Sequence, residues 1–224
     1  TFKYIRLALA IMGSMAGQGP LISWVAIHRR HHECSDEHGD PHSPYRHGKD
    51  GSRRLQGLFH SHMGWMVGHR FPLPTHYAAD LLRDHAIVAV SRHYFSWIGL
   101  GLIIPTLVGG IVYSTISGAF VCFLWGGPVR MFLVGQMILS VNSICHTFGQ
   151  RSFSTTDHSC NNWVVAIPTL GEGWHNNHHA FPSSPFLGMQ WWQIDVGKMF
   201  IRFLYLTGMA WDLKTPPVKP RPCN

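Results

Sequence analysis

Three stretches of the chain carry no Asp, Glu, Lys or Arg: 7–28, 93–129 and 131–150, with Arg130 alone separating the last two. A helix needs about 20 apolar residues to cross the hydrocarbon core of a bilayer. The pattern over residues 93–150 therefore predicts a transmembrane hairpin within 94–142. Its first span runs from Phe95 to Ile116, its turn falls at Ser117-Gly118, and its second span runs from Phe120 to Ser140. Pro105, Pro128 and the glycine pairs can kink these helices where neighbours satisfy the freed carbonyls. Arg130 and Gln136, polar inside a span, should face protein or snorkel. The first stretch differs, because Gln18-Gly19-Pro20 cuts it into arms of about a dozen residues or fewer, too short to span. Residues 1–27 read as an interfacial or re-entrant segment, with a buried core helix as the alternative.

The polar remainder falls into residues 28–92 and 143–224. Nine Lys or Arg lie in 29–92, six in 151–221, and none in the turn of the hairpin. The positive-inside rule then puts both segments on the cytosolic face. The expected fold is an all-α integral membrane protein, a transmembrane helical hairpin with a cytosolic helical cap. The mean hydropathy of +0.02 averages these two populations.

Of the 224 residues, 46% are hydrophobic, 12% aromatic and 13% charged, which excludes a disordered chain. The net charge of +7 reads as membrane-surface and orientation charge, since no motif for reading bases accompanies it and nucleic acid is not an expected partner. Five cysteines, odd in number and without a C-x-x-C pair, do not suggest a disulfide scaffold and fit a reducing compartment.

Histidine is the anomaly, at 17 residues. His28, His31 and His32 form H-x-x-H-H, and His175, His178 and His179 repeat it. About 0.1 such triplets are expected by chance at this histidine frequency. On a helix, positions i, i+3 and i+4 share a face, so each cluster can aim three imidazoles at one point. Six converging histidines exceed the three or four ligands of a zinc site; H-E-x-x-H does not occur, and Glu-x-x-His occurs once, at Glu172–His175, where carboxylate di-iron bundles use two. A dinuclear centre built almost wholly of histidine remains. Glu33, Asp36, Glu37, Asp40, Asp157 and Glu172 are candidates to orient the imidazoles, or members of solvated acidic loops. His38, His60, His62, His69, His76, His85, His93 and His158 are not read as ligands.

W-V-A-I-H-R-R-H-H ending at His32, D-P-H-S-P at 40–44, N-S-I-C-H at 142–146 and G-E-G-W-H-N-N-H-H-A-F-P at 171–182 together resemble the membrane-bound fatty acid desaturases of the delta-9, stearoyl-CoA type. The resemblance implies a non-haem di-iron centre, two iron ions with O2 as co-substrate. By motif its metal ligands are His28, His31, His32, His146, His175, His178 and His179, with Asn142 acting through a water. It implies removal of hydrogen from two neighbouring methylenes, leaving a cis double bond, in unsaturated fatty acid biosynthesis. Electrons would come from a cytochrome-b-type haem protein or a ferredoxin. The location would be the endoplasmic reticulum or a bacterial inner membrane, among membrane lipid. Trp24, Trp65, Trp163 and Trp174 are candidate walls for the acyl chain, or interfacial anchors. A hydroxylase on the same framework and a non-enzymatic zinc- or copper-binding protein are the rival readings.

Two departures qualify the resemblance. The family carries an H-x-x-x-x-H box upstream of the first cluster, and no histidine precedes His28. His42 and His47 have that spacing but follow the cluster with Pro44 between them, and are read as coincidence. The expectation is thus an N-terminal truncation that holds iron poorly by itself. The animal acyl-CoA enzymes place Arg then Asp before the cluster, where this chain has Ala26 and Ile27. Acyl-CoA, acyl-lipid and acyl-ACP substrates all stay open, with Arg29, Arg30, Arg53 and Arg54 available to phosphates or to the membrane.

Overall fold

The computed structural model describes residues 1–48, 50–68 and 71–216. His69, and Cys223 among the five cysteines, lie outside the described residues. Among the described residues the chain is helical, with only isolated bridges pairing Gln150 with Asn161 and Asn161 with Trp174. It divides into two compact units, one of residues 2–28 and 72–136, the other built mainly from residues 29–71 and the chain from Met137 onward.

The first of these units has an apolar core of Ala10, Ile22, Ala26, Ala78, Ile87 and Val90. Its opening helices, Lys3–Met15 and Leu21–Glu33, part at Ala16–Pro20, where Gly17 and Gly19 take the left-handed φ values of 81° and 99°. Asp84 caps His85–Arg92 by accepting from the N–H groups of Ala86 (3.1 Å) and Ile87 (3.3 Å).

Two helices are long and apolar enough to cross a membrane: Tyr94–Tyr113, and the 29-residue stretch Ile116–Ile144, which contains a π-helical turn at Trp125–Val129 around Pro128. The bend between them is at Ser114-Thr115, not at Ser117-Gly118 as the sequence pattern suggests. Ser114 takes the left-handed conformation (φ 51°) and Thr115 Oγ1 accepts from the N–H of Gly118 at 3.1 Å, starting the second helix. Gly118 serves packing instead. A Cβ there would collide with Tyr113, one on Gly109 with Cys122, and one on Gly126 with Pro105. Small residues bring the helices together, as in membrane helix pairs. Arg130 faces protein: Nη2 donates to the Met15 carbonyl (3.0 Å) and Nε to that of Gly126 (2.7 Å). Gly109→Val should lower the stability of the hairpin by about 1–3 kcal/mol, the usual cost of overpacking. An unchanged thermal midpoint in detergent would sink the close-packing account.

Among the described residues of the second unit the clustered apolar core is small, Val141, Cys145 and Val165 with Ile144 against them, with other buried apolar residues such as Phe153, Trp174 and Leu204 scattered. Its most deeply buried side chains include His31, His146, Asn176 and Asn177. Burying such groups costs free energy unless each finds a partner. The interior of this unit must therefore be held by polar contacts, and these define the site.

Candidate metal centre

Four histidines meet inside the second unit. His31 comes from the helix Leu21–Glu33, His146 from just past the helix Arg130–Ile144, and His175 and His179 from the short helix His175–Ala180. One ligand nitrogen from each lies within 4.8 Å of the others. His175 Nε2 is 3.0 Å from His146 Nε2 and 3.0 Å from His179 Nε2, while His31 Nε2 is 3.3 Å from His179 Nε2. Beside them His32 Nε2 stands 2.9 Å from His178 Nε2.

The triplets therefore do not each converge on one point, as helical spacing alone suggests. Within this unit each splits: His31 joins His175 and His179, and His32 joins His178. The cause is local, because adjacent helical residues are about 100° apart and cannot share a target. His28, earlier on the same helix, belongs to the other compact unit, where its ring stacks on Trp24 at 5.0 Å. Asn142 is partly buried, four residues before His146.

Three carboxylates set the protonation of the cluster. Asp40 Oδ1 accepts from His31 Nδ1 at 2.9 Å, Asp36 Oδ2 from His146 Nδ1 at 2.8 Å, and Asp157 Oδ2 from His179 Nδ1 at 2.7 Å. With the proton held on Nδ1, each Nε2 presents a lone pair inward. Lone pairs about 3 Å apart repel one another, and a cation among them reverses the sign. Two nitrogens at about 2.1 Å from one metal, subtending about 90–110°, are about 3.0–3.4 Å apart. The observed 3.0 and 3.3 Å separations match such an edge, so the donor set fits a bound transition metal.

The electrostatics favour the neutral ligand form at His31 and work against it at His146. Burial, then the neighbouring imidazoles, drives the pKa of His31 well below its usual value, favouring the neutral ligand form. Burial works against charge on His146 as well, but its bond to Asp36 prevails and raises its pKa. Burial pushes Asp40 up to about 6. On Asp157 burial is opposed and outweighed by the His179 and Ser159 hydrogen bonds, which hold the carboxyl far below its usual range.

Of the proposed orienting acids, Asp36, Asp40 and Asp157 reach the cluster. Glu33 is exposed, with its carboxylate 3.3 Å from Arg30 Nη1, and Glu37 and Glu172 are also exposed. The helix ends at Glu33, so residues beyond it turn back under the histidines while Glu33 still points along the outer face. Asp36 makes that return in the left-handed conformation (φ 63°). Trp174 is buried and donates from Nε1 to the Ile194 carbonyl at 2.8 Å, tying 191–195 to the start of the histidine helix. Trp24 is 41% exposed.

Other residues emerge only from the structure. His42, set aside because it follows the cluster with Pro44 between it and His47, is buried with its ring 4.3 Å from that of His31, and its backbone N–H donates to Asp40 Oδ1 at 3.0 Å. His60 Nε2 lies 3.2 Å from the Pro41 carbonyl and His62 Nδ1 3.0 Å from Ser143 Oγ, so the π-helical turn His60–Gly64 braces the D-P-H loop and the helix end before His146. Tyr45 Oη donates to the His146 carbonyl at 2.7 Å.

The two asparagines inside H-N-N-H-H aim away from the histidines. Asn176 Oδ1 accepts from the N–H groups of Ser152 and Phe153, both at 2.8 Å, and its Nδ2 donates to the Phe153 carbonyl at 3.2 Å. Asn177 Nδ2 donates to the Leu187 carbonyl (2.7 Å) and Gln193 Oε1 (3.0 Å). Their place on the opposite helical face was the available signal. Asn176→Ala should cost about 3 kcal/mol by stranding backbone groups. A change under about 1 kcal/mol in a denaturant titration would contradict that role.

The chain matches a family model described as fatty acid desaturase over residues 2–195. It is 50% identical over 221 residues to the hex-5-enoyl-[acyl-carrier protein] acetylenase of Moorena producens, covering 98% of this chain and 69% of that protein. It is 37% identical over 215 residues to the sn-1 stearoyl-lipid 9-desaturase of Synechocystis (96% and 62%) and 35% identical over 218 residues to the acyl-CoA C20 Delta5-desaturase of Anemone leveillei (96% and 64%). The chain thus spans about two thirds of the length of these curated relatives.

Proposed function

The chain belongs to the fatty acid desaturase family, and from that premise we propose that it introduces unsaturation into a fatty acyl chain, using O2, at a histidine-held pair of iron ions. The observation that carries this reading is the inward set of Nε2 atoms on His31, His146, His175 and His179, with three of their Nδ1 atoms fixed by Asp40, Asp36 and Asp157. His32 and His178 would contribute to the second ion, and the family's pattern adds His28 and, through a water, Asn142. Bound there, iron would supply the oxygen activation needed to break an unactivated C–H bond. The chain's own residues do the rest. The carboxylates hold His31, His146 and His179 in one tautomer, and burial of His31 and His146 keeps bulk water from their ligand nitrogens.

The hairpin supports a membrane setting. Tyr94–Tyr113 is about 30 Å long at 1.5 Å per residue, matching the hydrocarbon core. Its apolar side chains face outward, with Leu107 58% and Ile111 76% exposed, which a soluble core helix would not allow. The proposed location is the endoplasmic reticulum or a bacterial inner membrane, with the histidines on the cytosolic side. The electron donor would be a cytochrome-b-type protein or a ferredoxin.

The named relatives act on acyl-carrier-protein, lipid-linked and CoA-linked chains respectively. Delta-9 desaturation is the reading the motifs favour. The 50% identity to an acetylenase favours a second, formation of a triple bond on a carrier-protein-linked chain. Expression of the whole gene in cells lacking their own desaturase, supplied with saturated and with monounsaturated acyl chains, followed by gas chromatography of acyl chains released from both lipids and carrier protein, separates these. A cis alkene supports the first and an alkyne the second, while a hydroxylated product, or none with iron and reductant present, contradicts both.

A further inference from the structure

The helix Val196–Leu206 starts from a fixed point. Asp195, 3% exposed, accepts from the N–H of Lys198 through Oδ1 (2.7 Å) and from those of Leu187 (2.7 Å) and Gly188 (2.8 Å) through Oδ2. Leu204 packs inward. A neighbouring face carries Val196, Met199, Phe200, Phe203 and Leu206, all exposed, at spacings i, i+3, i+4, i+7 and i+10. At 100° per residue these fill a stripe about 120° wide that contains no polar group. Arg202 lies on one border of the stripe, and the exposed Trp191 and Trp192 precede the helix.

A second apolar strip adjoins the first. Trp163, Val164, Ile167 and Leu170 are exposed, and the Leu170 carbonyl accepts from the N–H of Val196 at 2.9 Å. Leu170 has φ 58°, a conformation that glycine or asparagine adopts at less cost, yet its side chain is 59% exposed. The strained backbone leaves this leucine side chain mostly outward.

We propose that these two strips form a membrane-interface surface lying in the headgroup layer of an anionic bilayer, in addition to the two spans. The chemistry selects lipid over protein. A protein interface carries hydrogen-bonding groups among its apolar ones, whereas this stripe has none, is bordered by Arg202 and is preceded by two exposed tryptophans, the residues suited to the headgroup level. Spans in the same chain would hold the surface near the bilayer, so modest intrinsic affinity suffices. The inference rests on the hairpin crossing a membrane.

The test is photocross-linking of the full-length protein in vesicles of phosphatidylethanolamine and phosphatidylglycerol, with p-benzoylphenylalanine replacing Phe203, Tyr205 or Ile111 one at a time. Tyr205 is exposed but off the stripe, and Ile111 lies in the first span. Lipid adducts at Phe203 should exceed those at Tyr205 by about fivefold or more, and Arg202→Glu should reduce them at least about twofold. Leu170→Asn should also reduce them while leaving the thermal midpoint equal or higher. Adducts to a second protein at Phe203, or equal lipid labelling at Phe203 and Tyr205, would overturn the proposal. Adducts at Ile111 without any at Phe203 overturn this surface alone, and none at either site overturns the membrane reading with it.

Discussion

Replacing His175 with alanine should abolish acyl desaturation, reducing product by more than about a hundredfold, beyond what loss of an orienting group causes. His175 Nε2 is 3.0 Å from two other ligand nitrogens, so its removal opens the middle of the four-histidine group rather than its edge. The short helix that carries it stays anchored by Asn176 and Asn177, whose hydrogen bonds run to other segments. The variant should therefore remain folded by circular dichroism while its iron content drops. The exposed His38 supplies the comparison, since His38→Ala should leave both activity and iron unchanged. Full iron and full activity in the His175 variant would show that the cluster is not the metal centre.

Asp157→Asn should have the next largest effect, a loss of about 10- to 100-fold in metal affinity or activity, and should be more damaging than Asp36→Asn. The difference comes from which oxygen is already committed. Asp157 Oδ1 accepts from Thr155 Oγ1 (2.8 Å), the Ser159 N–H (2.9 Å) and Ser159 Oγ (2.5 Å), while Oδ2 faces His179 Nδ1. An asparagine must keep its carbonyl oxygen toward those three donors, which turns its NH2 toward His179 Nδ1. The imidazole then accepts at Nδ1, carries its proton on Nε2, and can no longer offer a lone pair to a metal. In Asp36 the same oxygen, Oδ2, serves both His146 Nδ1 and the His158 N–H at 2.8 Å each. An amide there can keep its carbonyl in place, and the tautomer of His146 survives. Iron titration of both variants checks the order, and equal losses would refute the tautomer argument.

The site was more legible than the fold around it. Spacing alone picked out His31, His32, His175, His178 and His179, because three imidazoles within five residues have few other uses. Asp36, Asp40 and Asp157 were legible as nearby acids, but nothing in the sequence distinguished them from Glu33 and Glu172. That distinction depends on where the helix Leu21–Glu33 stops and how Asp36 reverses the chain. Splitting of the triplets could have been foreseen from the angle between His31 and His32. His42 was hidden by Pro44, which breaks any helical reading of its partner His47 but does not prevent the D-P-H loop from folding under His31. The bend of the hairpin was misplaced by three residues because Ser117-Gly118 has turn chemistry, whereas the glycine is spent on contact with Tyr113. Local propensity and close packing make the same demand on a glycine, and only the packed structure separates them.

The central claim is that these histidines hold two iron ions for oxidation of an acyl chain. Its most direct test is the metal content of the protein purified from its whole gene under anaerobic conditions, read by elemental analysis with Mössbauer spectroscopy. The account predicts two irons per chain, lost when His175 is replaced and retained when His38 is. One zinc or copper per chain, with no iron taken up and no oxygen consumed on reduction, would contradict it.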